Sequence, residues 1–455
     1  MNGADMTGKV LEEAFARFLK DLSEEEIPIH TAALVYEGEA VCRNYRFPYG
    51  PDTLQRMYSI SKSMVSLAAG FLSEEGKLNL DDPVLRYFPE YASEADSAYL
   101  KEVTVKDILK MQTCHSTSTY KAHPDMPWAE SFFRTPPDHK AGKIFMYDTS
   151  GTHTLCLLSE RISGMEILQY LRTKFLDKIG FSKEAYFIRN RFDEAMGGSG
   201  LMMTTEDMIR LAKLFLAGGK WNGEQILPEA YFKEAVSFLT PTRITGPIRE
   251  ERQGYGYQFW RLTHNGFGCY GMGGQFILCF PDRKTALVTT ADTMAVAGGN
   301  QAIYDSLYRN IFPVLPETAV VEPEADGTEH PDFTQGKIYY RKNGGSWDGI
   351  AFYNDRIVFR SGEKEYPLSF GLRKKIQGIF PLYNDPCMTE AEWLDGRTLY
   401  IRTDFQGENL ASAEMEAVFD RDDVLLYMTT TQEFGYEEFR GFAEGVRAES
   451  AGGRM

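Results

Sequence analysis

Within "MYSISKSMVSLAAG", residues 57–70, Ser59 and Lys62 stand one helical turn apart. A serine hydroxyl is a poor nucleophile until a base takes its proton. A lysine three positions on shares its helix face and can reach that hydroxyl. The N–H groups and positive dipole end at a helix start favour negative charge developing there, and burial would favour the neutral amine that can act as a base. The same residues also read as an N-capping serine and a lysine whose stem lies on apolar surface with its ammonium in water. Spacing alone does not separate these readings, because Ser-x-x-Lys recurs at Ser118…Lys121 and Ser361…Lys364. Context does: Ser361 lies at a strand end in a glycine-containing turn, Ser118 lies in a polar loop, and only Ser59 opens a strongly apolar helix.

Two further stretches carry chemistry. In "KIFMYDTSGTHTLCLLSERISG", Tyr147 precedes a helix; it could pass protons if a nearby lysine stabilised its phenolate, and Thr149 could position it or a substrate. The alternative is a boundary tyrosine with its ring packed and its hydroxyl in water. In "CYGMGGQFILCFPDRKTALVTT", a glycine turn runs into an apolar strand, a hairpin and a second strand. Glycines let backbone approach a ligand, and an N–H there could serve an oxyanion hole. The alternative is a tight turn or bulge.

These residues need a scaffold, and the pattern supplies one. "HTAALVYEGEAVCRNYRF" reads as a hairpin turning at Glu37-Gly38. A helix from about Ser59 carries Met64, Leu67, Ala68, Phe71 and Leu72 at core spacing and stops at Gly76. Further helices are predicted at 104–112, 150–163, 165–176, 205–218, 228–236 and 299–311, and strands at 254–262, 273–280 and 284–291. The first residues form an amphipathic helix with Leu11, Phe15, Phe18 and Leu19 on one face. Helices in the middle with strands from both ends predict an α/β fold with a helical subdomain. The strands at the two ends must meet in one sheet.

The chain of 455 residues is too long for one ordinary domain. Its character changes near residue 315. Residues 1–315 form the first predicted domain, the Pro- and Glu-rich 316–332 a linker, and 333–455 a small antiparallel β-barrel or sandwich. A net charge of −16 offers no basic face to nucleic acid or anionic lipid. No apolar run reaches the length of a membrane span, and the first residues lack the pattern of a signal peptide. Six scattered cysteines fit free thiols, so a cytoplasmic location is expected. Seven histidines without ligand spacing predict no metal and no cofactor.

Taken in order, the motifs resemble the penicillin-binding, class C β-lactamase-like serine hydrolases. "MYSISKSMVSLAAGFLSEEGKLNLDDPV" resembles that family's SxxK helix and the turn after it. "VTVKDILKMQTCH" is similar to the segment before its active-site loop, and "FMYDTSGTHTLCLLSERISG" to its Tyr-x-Asn box. "GGSGLMMTTEDMIRLAKLFLAGGKWNGEQILPEAY" is the most specific match, and "GYGYQFW" and "YGMGGQFILCFPD" resemble its closing strands. The resemblance covers roughly residues 25 to 312. It implies the β-lactamase/transpeptidase-like fold, Ser59 as nucleophile, Lys62 as its base and Tyr147 as proton shuttle. It also implies oxyanion N–H groups at Ser59 and Met272, with Thr149, Gly271, Gly274 and Gln275 as further substrate-binding candidates.

Two departures matter. Thr149 stands where the second box usually ends in Asn. Cys269-Tyr270-Gly271 stands where the third box usually reads Lys-Thr-Gly or His-x-Gly, so the cation for a substrate carboxylate is missing there. This favours a small neutral ester or amide as the partner molecule over a β-lactamase or D-amino-acid peptidase reading, and the intact Ser59, Lys62 and Tyr147 argue against a catalytically inactive binding homologue. A homo-oligomer is compatible with the sequence. Residues 113–140, with Trp128, Phe132 and Phe133, read as a lid over the site or as an excursion packing its aromatics into the core. His115, His123 and His139 in it are expected at the surface. The C-terminal β-domain resembles lipocalin-like barrels and could shape the pocket, mediate dimerisation or bind a ligand.

Overall fold

The Glu37-Gly38 turn closes the first hairpin with both residues at positive φ, 49° and 83°, as a right-twisted two-residue connection requires. A computed structural model describes residues 3–93, 97–316, 330–333, 336–342, 345–406, 411–431 and 435–447. It divides into two compact units, one of residues 1–137 and 145–321, the other of 138–144 and 322–455. Most of the expected linker, 317–329, lies outside the described residues.

In the first unit the hairpin joins β1 (Ile29–Tyr36) to β2 (Glu39–Tyr45). From the far end of the unit come β3 (Trp260–Arg261), β4 (Phe267–Gly271), β5 (Gln275–Phe280) and β6 (Thr285–Ala291). They form one antiparallel sheet in the order β2-β1-β6-β5-β4-β3, and β1 lies on β6 with Ala33 opposite Val288. The two ends of the hydrolase-like sequence therefore meet side by side. Because strand side chains alternate, the sheet has two apolar faces. On one, Ala32, Leu34 and Leu278 join Leu11, Phe15, Phe18 and Leu22 of α1 (Gly3–Glu24) and Ile303, Tyr304 and Leu307 of the helix Gly299–Asn310. On the other, Thr31 bonds Thr205 (2.7 Å) and Thr290 (2.8 Å), which seats the helix Thr205–Leu216.

The helix that opens after Ser59, α2 (Ile60–Glu74), is buried at every position from Ile60 to Leu72, as an all-round apolar helix must be. It packs on α3 (Thr149–Ser163). The expected helix 165–176 is an α-turn, Ile167–Leu171, followed by a π-turn, Arg172–Leu176. The expected strand 254–262 reduces to Trp260–Arg261. Gln258 is the reason: it sits at φ 63°, and its amide donates to Ile108 O (2.9 Å) and Leu109 O (3.0 Å), which bends this aromatic stretch into a buried loop. Residues 113–137 contain two short helices, Thr119–Lys121 and Trp128–Arg134, with Phe132 and Phe133 buried. His115 and His139 are buried rather than superficial. His115 Nε2 lies 2.9 Å from Phe132 O, and His139 stacks on Phe442 inside the second unit.

Among the described residues, the second unit is an 11-stranded barrel-like sheet from Lys337–Arg341 to Gly441–Arg447. Its pairings are antiparallel except Gly371–Leu372 on Pro386–Asp395. Phe352, Phe359, Ile401, Phe419 and Leu426 fill the apolar side. Asp138–Ile144 belongs to it as well: Lys143 pairs with Asp420, and Arg397 donates to Gly142 O at 3.1 Å.

Asp207 is a keystone of the first unit. It is buried, forms a reciprocal capping box with Thr204, and accepts from Ser182 N at 2.7 Å. Asp207→Ala leaves backbone donors without partners. It is expected to cost about 2–4 kcal/mol, read as an earlier urea transition of the full chain.

Candidate active site

The segment before α2 is braced from below. Gln55–Arg56 pairs with Leu201–Met203, and Met57 N donates to Leu201 O at 2.8 Å. Tyr58 takes φ 45°, a strained conformation for an aromatic residue. Ser61 Oγ ties the turn together, donating to Tyr58 O (2.5 Å) and accepting from Leu201 N (3.0 Å). Ser59 follows as the N-cap, but its side chain makes no capping bond. Its hydroxyl instead accepts from Lys62 Nζ at 3.1 Å. Lys62 is 1% exposed. Its other partner is Gly198 O, at 2.6 Å. Burial pulls the amine down to about 7, against the opposing field of Asp148.

Tyr147 completes this group. It shares a hydrogen bond with Ser59, and Lys62 Nζ lies 5.0 Å from its ring centroid. Trp260 stacks on the same ring, centroids 5.8 Å apart. Burial pushes the phenol's pKa up, with the Ser59 hydrogen bond opposing, so Tyr147 is a neutral phenol and not a lysine-stabilised phenolate. Asp148 caps α3 through Ser150 N at 2.8 Å. Thr149 N donates to Ser118 Oγ at 2.9 Å, and Tyr120 shares hydrogen bonds with Ser118 and Thr149. Nearby, burial raises the Glu251 carboxyl to about 7, and its field reaches Tyr147, Tyr255, Tyr270 and Tyr304.

The third stretch is divided differently from the sequence expectation. Cys269, Tyr270 and Gly271 are on β4, and the turn is 272–274. A Cβ on Gly271 would sit 2.0 Å from Met57 O, so only glycine lets β4 pass the turn that carries Ser59. Met272 is 43% exposed. Gln275 is engaged with backbone rather than free for substrate: Nε2 donates to Met272 O (3.1 Å) and Ala291 O (2.7 Å), and Oε1 accepts from Ala291 N (3.3 Å). Gly274, at φ 85°, has its carbonyl bonded by Thr289 Oγ1 at 2.8 Å. Both residues hold the turn that presents Met272. Cys269 supplies no cation; burial lifts its thiol to about 12.

Ser59, Lys62 and Tyr147 thus converge, with Thr149 beside them through Gly198: a Cβ on Gly198 would lie 2.5 Å from Thr149 Cγ2 and 3.4 Å from Lys62 Nζ. Sequence reasoning missed Gly198, Ser118, Tyr120 and Trp260. The second Ser-x-x-Lys, at Ser118, was a usable signal; Gly198 stood in a matched segment without a marked role. Among the described residues no cluster of His, Cys, Asp or Glu is placed to hold a metal, and no helix is long and apolar enough to cross a membrane.

An antiparallel sheet with a buried serine–lysine helix behind it defines the β-lactamase/transpeptidase-like fold. The chain belongs to the β-lactamase family, whose model matches residues 15–305. It is 24% identical over 242 residues to a 6-aminohexanoate-dimer hydrolase of Paenarthrobacter ureafaciens, covering 50% of this chain and 62% of that protein. It is 22% identical over 298 residues to the mitochondrial serine β-lactamase-like protein LACTB of Homo sapiens, covering 44% of this chain and 54% of that one. The chain therefore spans little more than half the length of these curated relatives. Among solved structures, the octameric penicillin-binding protein homologue from Pyrococcus abyssi is similar over 95% of this chain and 99% of its own, with TM-score 0.52 and 18% identity. EstCE1, a hydrolase with promiscuous acyltransferase activity, is similar over 67% of this chain and 100% of its own, with TM-score 0.51 and 16% identity.

Gly198→Ala should push its carbonyl away from Lys62. Labelling of Ser59 by a fluorophosphonate is expected to slow about tenfold or more, a barrier change of about 1.4 kcal/mol. A circular dichroism spectrum matching wild type would place the effect in the site.

Proposed function

We propose that this protein is a serine hydrolase that cleaves a small ester or amide through an acyl-enzyme on Ser59. The observation that carries the reading is the buried Lys62 amine, 3.1 Å from an otherwise uncapped Ser59 hydroxyl and held near neutrality by burial. In its neutral form the amine takes the Ser59 proton as Oγ attacks the carbonyl carbon. The tetrahedral oxyanion is held by the N–H groups of Ser59 and Met272. As the scissile C–O or C–N bond breaks, Tyr147 gives its proton to the leaving group, and the proton that Lys62 took from Ser59 passes to the Tyr147 oxygen, the two side chains being neighbours. Water then attacks the acyl ester, its proton passes to the same pair, and Ser59 regains its own. A neutral, high-pKa phenol suits the donor step. The names of the relatives, a dimer hydrolase and a hydrolase with acyltransferase activity, support hydrolysis. The missing third-box cation weighs against β-lactams and D-amino-acid peptides. A free nucleophile beside its base weighs against an inactive binding homologue.

Intact-protein mass after fluorophosphonate treatment tests this reading. One adduct is expected on wild type and none on Ser59→Ala; a folded wild type that takes no adduct favours the binding-protein reading. The base must be neutral to act, so the labelling rate should rise with pH through about 7 and then level off, following Lys62. Glu251 also titrates near 7, so the rise must persist in Glu251→Gln. Lys62→Met should lower the rate by about a hundredfold or more.

A further inference from the structure

Beside the Ser59 turn lies a cavity of about 300 Å³, lined in part by Tyr58, Met272, Gln55, Arg56 and Asp292. That is the low end of small-molecule sites. Its position follows from the two elements that meet there. Tyr58 immediately precedes Ser59, and Met272 carries the N–H assigned to the oxyanion. Ser59 itself does not line the cavity, but these two neighbours bring it within reach of a short chain on a carbonyl bound at Ser59.

The polar lining is unevenly satisfied. Gln55 is 8% exposed, and its Nε2 has no hydrogen-bond partner; the same side chain shares a hydrogen bond with His30, whose ring is stacked on Tyr49 with centroids 4.1 Å apart. A buried amide N–H without an acceptor is costly, and an acceptor supplied by a ligand removes that cost. Arg56 stands next to it. Its guanidinium lies 4.8 Å from the Tyr58 ring centroid, and Nε donates to Ser199 O at 3.0 Å, a geometry that fixes the plane while only Nε is spent on backbone. Asp292, the opposing charge in the lining, is exposed, where solvent screens it. Burial lowers the His30 pKa, so His30 adds no competing cation at neutral pH.

We propose that this cavity is an acyl subsite for a carboxylate, gripped by Arg56 and Gln55, so that the preferred substrate carries an anionic group at the far end of a short acyl chain. This cation serves the acyl side of the substrate and does not replace the one absent from the third box. The inference rests on Ser59 as nucleophile and deepens that reading.

The test compares two p-nitrophenyl esters of equal chain length, butyrate and hemisuccinate. Wild type should favour the hemisuccinate about tenfold or more in kcat/KM, the order expected for a charge-assisted hydrogen bond, with the difference mainly in KM. Arg56→Gln should bring the ratio to about one, and Gln55→Met should lower it part of the way. A wild-type ratio near one, or a ratio that neither substitution moves, overturns the proposal. Calorimetric titration of Ser59→Ala with glutarate separates this from the chemistry. Binding that Arg56→Gln abolishes upholds the subsite even if neither ester is turned over. Absent binding together with absent ester preference overturns it.

Discussion

An amine held in a dry interior within reach of a serine hydroxyl is the constraint on which the rest of this site depends. Taking Lys62 out of water disfavours its charged form, and the structure leaves most of that penalty in place. Asp148 opposes it only through its field, and the direct partners are a hydroxyl and one carbonyl. A full ion pair would have restored an ordinary ammonium and removed the base. The neighbouring features follow from this need. Gly198 has no Cβ because one would collide with Thr149 on one side and crowd the amine on the other. Arg56 holds Ser199, the next residue along, by its carbonyl. Tyr58 stays in a strained conformation because Met57 and Ser61 are both tied to Leu201.

The same burial sets the character of the tyrosine. Tyr147 adjoins both Trp260 and Lys62, and an environment that neutralises an amine also disfavours a phenolate. One physical cause thus gives an amine that is neutral near pH 7 and a phenol that keeps its proton. Such a pair can relay a proton in either direction without a standing charge. Glu251, uncharged below about 7 by the same cause, keeps the tyrosine cluster around it free of an added negative charge until it ionises.

What the sequence revealed, and what it hid, divides along the range of the interactions involved. Ser59 and Lys62 were legible because their relation is one turn of one helix, and the apolar run behind them marks that helix as buried. The hairpin at Glu37-Gly38 and the helices from Thr149 and Thr205 were legible for the same local reasons: turn chemistry, caps and period. Tyr147 needed the resemblance, since nothing local places it near residue 59. The boundaries of the third stretch were misjudged because β4 is five residues with a glycine at each of two positions, too short and too weak in strand formers to show a period. Residues 254–259 look like a strand, but a side chain bonded to carbonyls about 150 positions away overrides the alternation. Gly198 and Arg56 act only through long-range contacts, so composition and spacing carry no trace of them, and the Ser-x-x-Lys spacing at Ser118 marks the residue without showing its contact to Thr149.

The second unit raises a different physical question, because a barrel can be a container or a solid. Its apolar side is closed by aromatic and branched side chains from most of its strands, and the void among Phe359, Phe380, Ile401, Met415 and Met428 is about 20 Å³, room for about one water. A lipocalin-type cavity needs far more. Among the described residues, this stretch of the interior is filled by side chains. The chain path suggests another role. Asp138–Ile144 belongs to this unit, held by Lys143 on Asp420 and by Arg397 on Gly142, and the chain reaches Tyr147 three residues later. A solid, well-packed sheet is a better anchor than a hollow one, since filled cores resist deformation. Within this unit that packing holds Asp138–Ile144 in place.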